Sequence, residues 1–118
     1  MFETSVAIDR VPCRMAKVRQ PTNEHRRSIE DSLRWRDFEH RANDIFISTP
    51  PKSGTTWMQG IVSSLLWPAG DAPDDRSGRS PWIDARFTPI EDLLAHLDGQ
   101  QHRRFIKTHS PADCVPIF

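Results

Sequence analysis

The segment at 50–57 carries the residues of this chain whose types and spacing best suit chemistry. A lysine, three hydroxyl side chains, a glycine and a tryptophan follow one another: Lys52, Ser53, Gly54, Thr55, Thr56 and Trp57. A glycine-containing loop that runs into a helix presents unpaired N–H groups at the positive end of the helix dipole. Such a helix start binds phosphate or sulfate, and a lysine adds a full charge. The segment therefore predicts a nucleotide-phosphate site, with an indole available to stack on a base.

The glycine spacing differs from that of the phosphate loop in ATPases and GTPases. That loop has a second glycine followed directly by lysine, whereas Lys52 precedes Gly54, the only glycine of the segment. The chain also shows no obvious acidic residue for holding magnesium, so an NTPase is disfavoured. A purely structural interpretation stays open, in which Gly54 permits a tight turn and Trp57 packs in the core.

A second polar cluster lies at 104–111, where Lys107, Thr108 and His109 follow one another. Histidine titrates near neutral pH and suits the removal of a proton from a hydroxyl or amine. Lysine stabilises negative charge that develops on a leaving group. We assign the other histidines to surface or loop positions: His25, His40, His96 and His102. A lone His109 would join them, but its neighbours make it a candidate catalytic residue.

Two short strands must position these clusters. The β-branched and aromatic run at 44–49 is typical of a buried strand, and the run at 104–107 predicts a second one. Apolar residues at helical spacing predict a helix from Thr55 to just before Pro68. Strands joined by a helical crossover pair in parallel. Both clusters should then lie at the carboxyl edge of the sheet, where α/β proteins bind ligands.

The fold class is therefore α/β, with a partial P-loop-like parallel sheet and flanking helices. Residues 1–22 predict an irregular N-terminal arm, and residues 23–118 form the predicted domain. Weak apolar periodicity at 23–40 favours a helix. The stretch at 68–82 is rich in turn-forming residues and predicts a surface loop.

A further helix is expected after position 88. Thr88 is a suitable N-cap, Pro89 suits a first turn and Glu91 occupies the capping-box position. The apolar residues that follow have helical spacing: Ile90, Leu93, Leu94 and Leu97. Gly99 is expected to end this helix.

Composition argues against several classes of protein. Lys+Arg and Asp+Glu each number 16 among 118 residues, so no net charge attracts nucleic acid. No stretch approaches the roughly 20 apolar residues of a membrane helix. Cys13 and Cys114 have no metal or redox spacing, and no cluster of metal ligands is convincing. These features indicate a cytoplasmic protein without a metal, a nucleic-acid partner or a membrane segment.

Three segments resemble the cytosolic sulfotransferase family. The run at 51–57 is similar to the family's 5′-phosphosulfate-binding loop, and the run at 44–49 to the strand before that loop. The run at 104–111 resembles the segment with the catalytic histidine. Pro50 stands where the family commonly has tyrosine, which leaves the binding groups in place. The resemblance covers about residues 35–118.

This resemblance implies transfer of a sulfuryl group from 3′-phosphoadenylyl sulfate (PAPS) to a hydroxyl or amine of a small-molecule acceptor, without a metal. It implies that His109 is the general base, that Lys107 binds the transferring group, and that Lys52 neutralises the leaving oxygen. The donor-binding residues that it implies are Lys52, Ser53, Gly54, Thr55, Thr56, Trp57 and Thr108.

The segment at 80–84 resembles the family region near the acceptor pocket. Trp82 and Phe87 are the aromatic residues there, and they either line that pocket or pack in the core. Core packing is the expectation, because large apolar side chains are mostly buried.

Members of the family are considerably longer than 118 residues, so the resemblance identifies this chain as a truncated, N-terminal portion of the fold. We expect a homo-oligomer or a complementing C-terminal part as its partner, since two strands alone leave exposed sheet edges. The alternative function is a non-catalytic remnant that binds a nucleotide phosphate. An inert fragment is the remaining alternative.

Overall fold

The computed structural model describes residues 19–73 and 75–116. In chain order its elements are a 3-10 helix at Ser32–Asp37, strand β1 at Ile45–Ser48, helix α1 at Thr55–Leu66, helix α2 at Arg76–Arg79, helix α3 at Ile90–Asp98, strand β2 at Phe105–Thr108 and a 3-10 helix at Ala112–Cys114. The predicted arm at 1–22 lies outside the described residues up to position 18, and its boundary stays a prediction.

The two strands pair in parallel, which confirms the predicted α/β arrangement. Ile45 is opposite Phe105 and Ser48 is opposite Thr108. One further hydrogen bond follows, in which Thr49 N donates to Thr108 O at 3.2 Å. This register brings the loop after β1 and the turn after β2 to the same edge of the sheet.

The hydrophobic core joins the strands to α3 and to the first 3-10 helix. Its buried members and the partly buried residues against them are Trp35, Phe38, Ile83, Leu97, Ile106 and Val115, with Phe46, Ile90 and Leu94. The Trp35 ring meets Phe38 and Phe46 edge-on, with centroids 5.0 and 5.4 Å away. Such contacts add about 0.5–1.5 kcal/mol each beyond the burial of area, so they fasten the 3-10 helix to β1.

The prediction of one helix across 23–40 is wrong. Only Ser32–Asp37 is helical, and it is a 3-10 helix. Tertiary hydrogen bonds draw the preceding backbone away from helical geometry, since Asp31 N donates to Asp84 O at 2.8 Å. Ile29, one of the apolar residues of this segment, is half exposed.

The predicted loop at 68–82 contains helix α2, a single four-residue turn. Asp75 stabilises this turn, because its Oδ1 accepts a hydrogen bond from Gly78 N at 2.8 Å and so caps it.

The prediction that Thr88 caps the next helix, α3, is also wrong. Pro89 occupies the cap position of α3, and its hydrocarbon ring has no acceptor for a cap hydrogen bond, whereas Gly99 ends the helix as expected.

A buried ion pair ties the two strands together at the end opposite the polar clusters. Arg104 Nε and Nη2 donate to the two carboxylate oxygens of Asp44 at 2.8 and 2.6 Å. Both side chains are almost completely buried. A bidentate guanidinium–carboxylate pair has a strict geometry, so it fixes the starting points of β1 and β2.

Candidate active site

The loop between β1 and α1 has the backbone geometry of an anion-binding helix start. Lys52 and Gly54 both have left-handed conformations, with φ values of 61° and 99°. Gly54 is the N-cap of α1 and offers no side-chain cap bond to the first turn. The N–H groups of that turn are therefore available to a ligand. Lys52 is exposed beside them.

The hydroxyl side chains of this loop differ in their hydrogen-bond partners and in their exposure. Ser53 Oγ donates to Pro50 O at 2.6 Å and so closes the loop. Thr55 is buried, and its hydroxyl pairs with that of Thr49 at the end of β1. Thr56, in contrast, is exposed. Among the three predicted ligand hydroxyls, two therefore hold the loop together and that of Thr56 faces outward.

Trp57 lies on the surface of α1 with 75% of its area exposed. This excludes the interpretation of Trp57 as a core residue in the described part of the chain. An exposed indole in the first turn of the helix is available for stacking on a planar ring. The position of the predicted base-stacking residue is thus compatible with that role.

His109 is attached to the end of β1. Its Nδ1 lies 2.7 Å from Thr49 O. A carbonyl oxygen only accepts hydrogen bonds, so the neutral imidazole carries its proton on Nδ1 and keeps the lone pair on Nε2. The ring also meets Trp82 edge-on, with centroids 4.8 Å apart. The contacts therefore determine both the orientation of the ring and its basic nitrogen.

Lys107 also contacts the Trp82 ring. Its Nζ is 4.1 Å from the ring centroid, a cation–π contact. Trp82 is thus shared by the two candidate residues Lys107 and His109. The bridge between Trp82 and Lys107 extends the parallel pairing by one residue pair beside β2.

Thr108 is fully buried, and its hydroxyl donates to Asp84 Oδ2 at 2.7 Å. In this structure the hydroxyl therefore points to a carboxylate inside the protein, while the expected role was beside a donor phosphate. Sequence reasoning missed Asp84. Its only signal was a carboxylate directly after the apolar pair Trp82 and Ile83, in a segment that resembled the acceptor region.

A cleft of about 310 Å³ opens beside these residues. Its lining includes Thr56, Trp82, Phe87, Leu93, His96 and Lys107. Phe87 is 72% exposed, so the expectation that it packs in the core is wrong. It lies in the turn that precedes α3, where its ring meets Trp82 edge-on with centroids 5.5 Å apart. The cleft thus combines two aromatic rings with a cation and a hydroxyl.

Within 19–73 and 75–116, no group of three or more His, Cys, Asp or Glu side chains is placed to hold a metal ion. No helix in the same ranges is long and apolar enough to cross a membrane.

Comparison with known proteins defines the class. The family model described as a sulfotransferase domain matches residues 42–117. This chain belongs to the sulfotransferase domain family. Both strands, the β1–α1 loop and the turn after β2 lie within the matched range, whereas the first 3-10 helix precedes it.

Individual relatives support this assignment. A glycolipid sulfotransferase of Mycobacterium tuberculosis (strain ATCC 25177 / H37Ra) is 51% identical over 89 residues, which are 75% of this chain and 27% of the relative. Sulfotransferase 1 family member D1 of Rattus norvegicus is 39% identical over 67% of the chain, and human sulfotransferase 1E1 is 32% identical over 67%. The matched part covers 28% of each of these two relatives. The chain thus spans little more than a quarter of the length of these relatives.

Proposed function

We propose that this chain supplies the phosphosulfate loop and the general base of a sulfotransferase that moves a sulfuryl group from PAPS to a hydroxyl or amine of a small acceptor. One observation carries the proposal. The parallel register of β1 and β2 places an uncapped helix start and a histidine with a defined basic nitrogen at one sheet edge.

The donor-side residues fit a phosphosulfate group. The first turn of α1 offers N–H groups and the positive end of a 12-residue helix, and Lys52 adds a charge. When bound, PAPS supplies the sulfuryl group and departs as adenosine 3′,5′-bisphosphate. Lys52 would neutralise charge on the leaving oxygen, and Thr56 and Trp57 would contact the nucleotide.

The acceptor-side residues fit removal of a proton from a nucleophile. Nε2 of His109 would take the proton of the acceptor hydroxyl or amine as the new bond to sulfur forms, since Nδ1 is already protonated toward Thr49. Lys107 would hold the transferring group from beside Trp82. The reaction then needs two fixed cations and one base from this chain, without a metal.

The cleft beside Lys107 is the proposed acceptor site. Trp82 and Phe87 offer aromatic surfaces there, and Lys107 adds a positive charge to its lining. Small hydroxyl compounds are therefore the proposed acceptor class. A relative at 51% identity is named a glycolipid sulfotransferase, so glycolipid hydroxyls are the acceptors to test first.

The proposed partner is a second copy or a complementing C-terminal part of the domain. Helix α1 exposes apolar side chains that such a partner would cover: Met58, Ile61 and Leu65. We place the protein in the cytoplasm, because the Cys114 thiol, free and buried, suits a reducing compartment.

Calorimetric titration of the 118-residue chain with adenosine 3′,5′-bisphosphate tests the donor site. Saturable binding with a one-to-one stoichiometry is expected, followed by sulfate transfer from PAPS to a panel of phenols, amines and glycolipids. Binding without transfer to any acceptor would favour the alternative, a non-catalytic nucleotide-binding remnant. Absence of binding by a folded chain would contradict both functions.

A further inference from the structure

We infer that Asp84 is a positioning residue. It holds the turn that carries His109, so that the neutral ring keeps its proton on Nδ1 and its lone pair on Nε2. The inference rests on the proposed role of His109 as the base. Asp84 ends the segment at 80–84 that resembles the family's acceptor region, but that resemblance gives it no role in the proposed reaction. Its action would pass through the turn at 108–110.

Four hydrogen bonds converge on one oxygen of this carboxylate. Asp84 Oδ2 accepts from Thr108 Oγ1 at 2.7 Å, from Ser110 Oγ at 2.5 Å and from Ser110 N at 3.1 Å. The fourth bond comes from the backbone N of His109, at 3.3 Å. All three residues of the turn are thus bonded to a single atom.

Asp84 is itself held from two sides. Its side chain is completely buried, and its carbonyl oxygen accepts a hydrogen bond from Asp31 N at 2.8 Å. The residues before it run alongside β2, because Lys107 N donates to Pro81 O at 2.9 Å and Ile83 N donates to Lys107 O at 3.3 Å. The carboxylate therefore has a fixed position from which to orient the turn.

An anion suits this position better than an apolar or hydroxyl side chain. Hydrogen bonds to an ionised acceptor are about twice as strong as neutral ones, and an ionised carboxylate only accepts. Without it, buried donors on Thr108 and Ser110 would lose their partner. The backbone of His109 would then be released, and with it the contact between Nδ1 and Thr49 O.

The imidazole tautomer reports this positioning directly. Nitrogen NMR of the 118-residue chain labelled at histidine, at a pH where the ring is neutral, should show the His109 proton on Nδ1. Asp84→Ala should shift His109 to the mixed tautomers of an unconstrained histidine. Asp84→Asn should keep most of the Nδ1–H form, because an amide oxygen can still accept from the turn. In the transfer assay Asp84→Ala should lower kcat about 100-fold, the loss expected for a misplaced catalytic group.

Asp44→Asn is the matched control. Asp44 is an equally buried carboxylate at the far end of the sheet, paired with Arg104. Its variant should lower the melting temperature and leave the tautomer of His109 unchanged. An equal tautomer shift in Asp44→Asn, or an unchanged tautomer in folded Asp84→Ala, would overturn the inference.

Ser110→Ala covers the case in which Asp84→Ala does not fold. It removes one of the four hydrogen bonds and should shift the tautomer partly, whereas no shift would overturn the inference. The tautomer needs no turnover. The unsubstituted chain could therefore fail to transfer sulfate while the tautomers of the chain and its variants follow the expected order. That result would reject the proposed function and still support the control of His109 by Asp84.

Discussion

Nδ1 of His109 lies 2.7 Å from the carbonyl oxygen of Thr49, although 60 positions separate the two residues. The contact follows from the parallel register, in which Ser48 is opposite Thr108 and the next residues on each strand become neighbours. The carboxyl edge of the sheet thereby holds the His109 ring next to Thr49, the residue that follows β1.

Removal of the base should separate catalysis from nucleotide binding. His109→Ala should lower kcat for sulfate transfer by about 10²- to 10⁴-fold, the usual contribution of a general base. Affinity for adenosine 3′,5′-bisphosphate should stay within about twofold, because the loop around Lys52 is unaffected. Steady-state kinetics and calorimetry measure the two quantities. Native turnover in His109→Ala would remove this residue from the mechanism.

Removal of the loop cation should weaken binding itself. Lys52→Ala should raise the Kd for adenosine 3′,5′-bisphosphate by about 10- to 100-fold, since a hydrogen bond to a charged group contributes about 1.5–3 kcal/mol. Arg36→Ala is the matched control, because Arg36 is a cation in an exposed pair with Glu24, on the first 3-10 helix. Equal losses of affinity in both variants would indicate a general charge effect and contradict a site at Lys52.

The strands and the helix after the loop were predictable because their signals are local. Runs such as 44–49 are short, apolar and β-branched, and parallel pairing follows from the helical crossover between them. The helix at 23–40 was mispredicted because its periodicity competes with tertiary hydrogen bonds, which a sequence window does not contain. Asp31 N, for instance, bonds to Asp84 O rather than within a helix.

The candidate site was predictable in part for the same reason. Lys52, Gly54 and His109 belong to compact motifs, whereas the importance of Asp84 depends on four donors that meet only in the folded chain. The sequence also did not indicate which of the aromatic side chains are exposed to solvent. Phe87 is a large apolar residue of the type that is mostly buried, and yet it is exposed in the turn before α3.

The left-handed cap of α1 should require glycine. Gly54→Ala should lower the free energy of unfolding by about 1–2 kcal/mol, the cost of placing a Cβ in this conformation. An added Cβ would meet only Trp57, at 4.0 Å, so the cost is conformational rather than steric. Gly60 lies inside α1, and an added Cβ there would meet no atom within 4 Å. Gly60→Ala should therefore raise the free energy of unfolding by about 0.5–1 kcal/mol. Urea unfolding compares them, and a destabilisation of the same size in both would contradict the argument.

The Cys114 thiol should be unreactive in the folded chain. Burial raises the pKa of Cys114, and a hydrogen bond to Asp113 adds to the effect. In a Cys13→Ser background, alkylation by iodoacetamide near pH 8 should be at least about tenfold slower than in urea. Mass spectrometry measures the rates, and equal rates in the folded and unfolded chain would contradict the burial of this thiol.

The same shift predicts how stability depends on pH. The folded chain keeps the Cys114 proton at a pH where the unfolded chain, with a thiol pKa of about 8.5, has lost it. Stability from this group is therefore present below that pH and falls as the pH rises toward the folded pKa. Urea unfolding at a series of alkaline pH values should show a decline that Cys114→Ala reduces. An identical decline in that variant would assign the effect to other groups.

The buried pair of Arg104 and Asp44 should contribute far more to stability than an exposed one. Asp44→Leu or Arg104→Leu leaves a buried charge without its partner and should cost about 3–5 kcal/mol. Replacing both together should cost less than either single change, because no charge then remains uncompensated. Arg36→Ala, which breaks an exposed pair, should cost at most about 1 kcal/mol. Urea unfolding of the four variants measures these differences. A double variant less stable than both single ones would show that the pair stabilises through packing that leucine cannot replace.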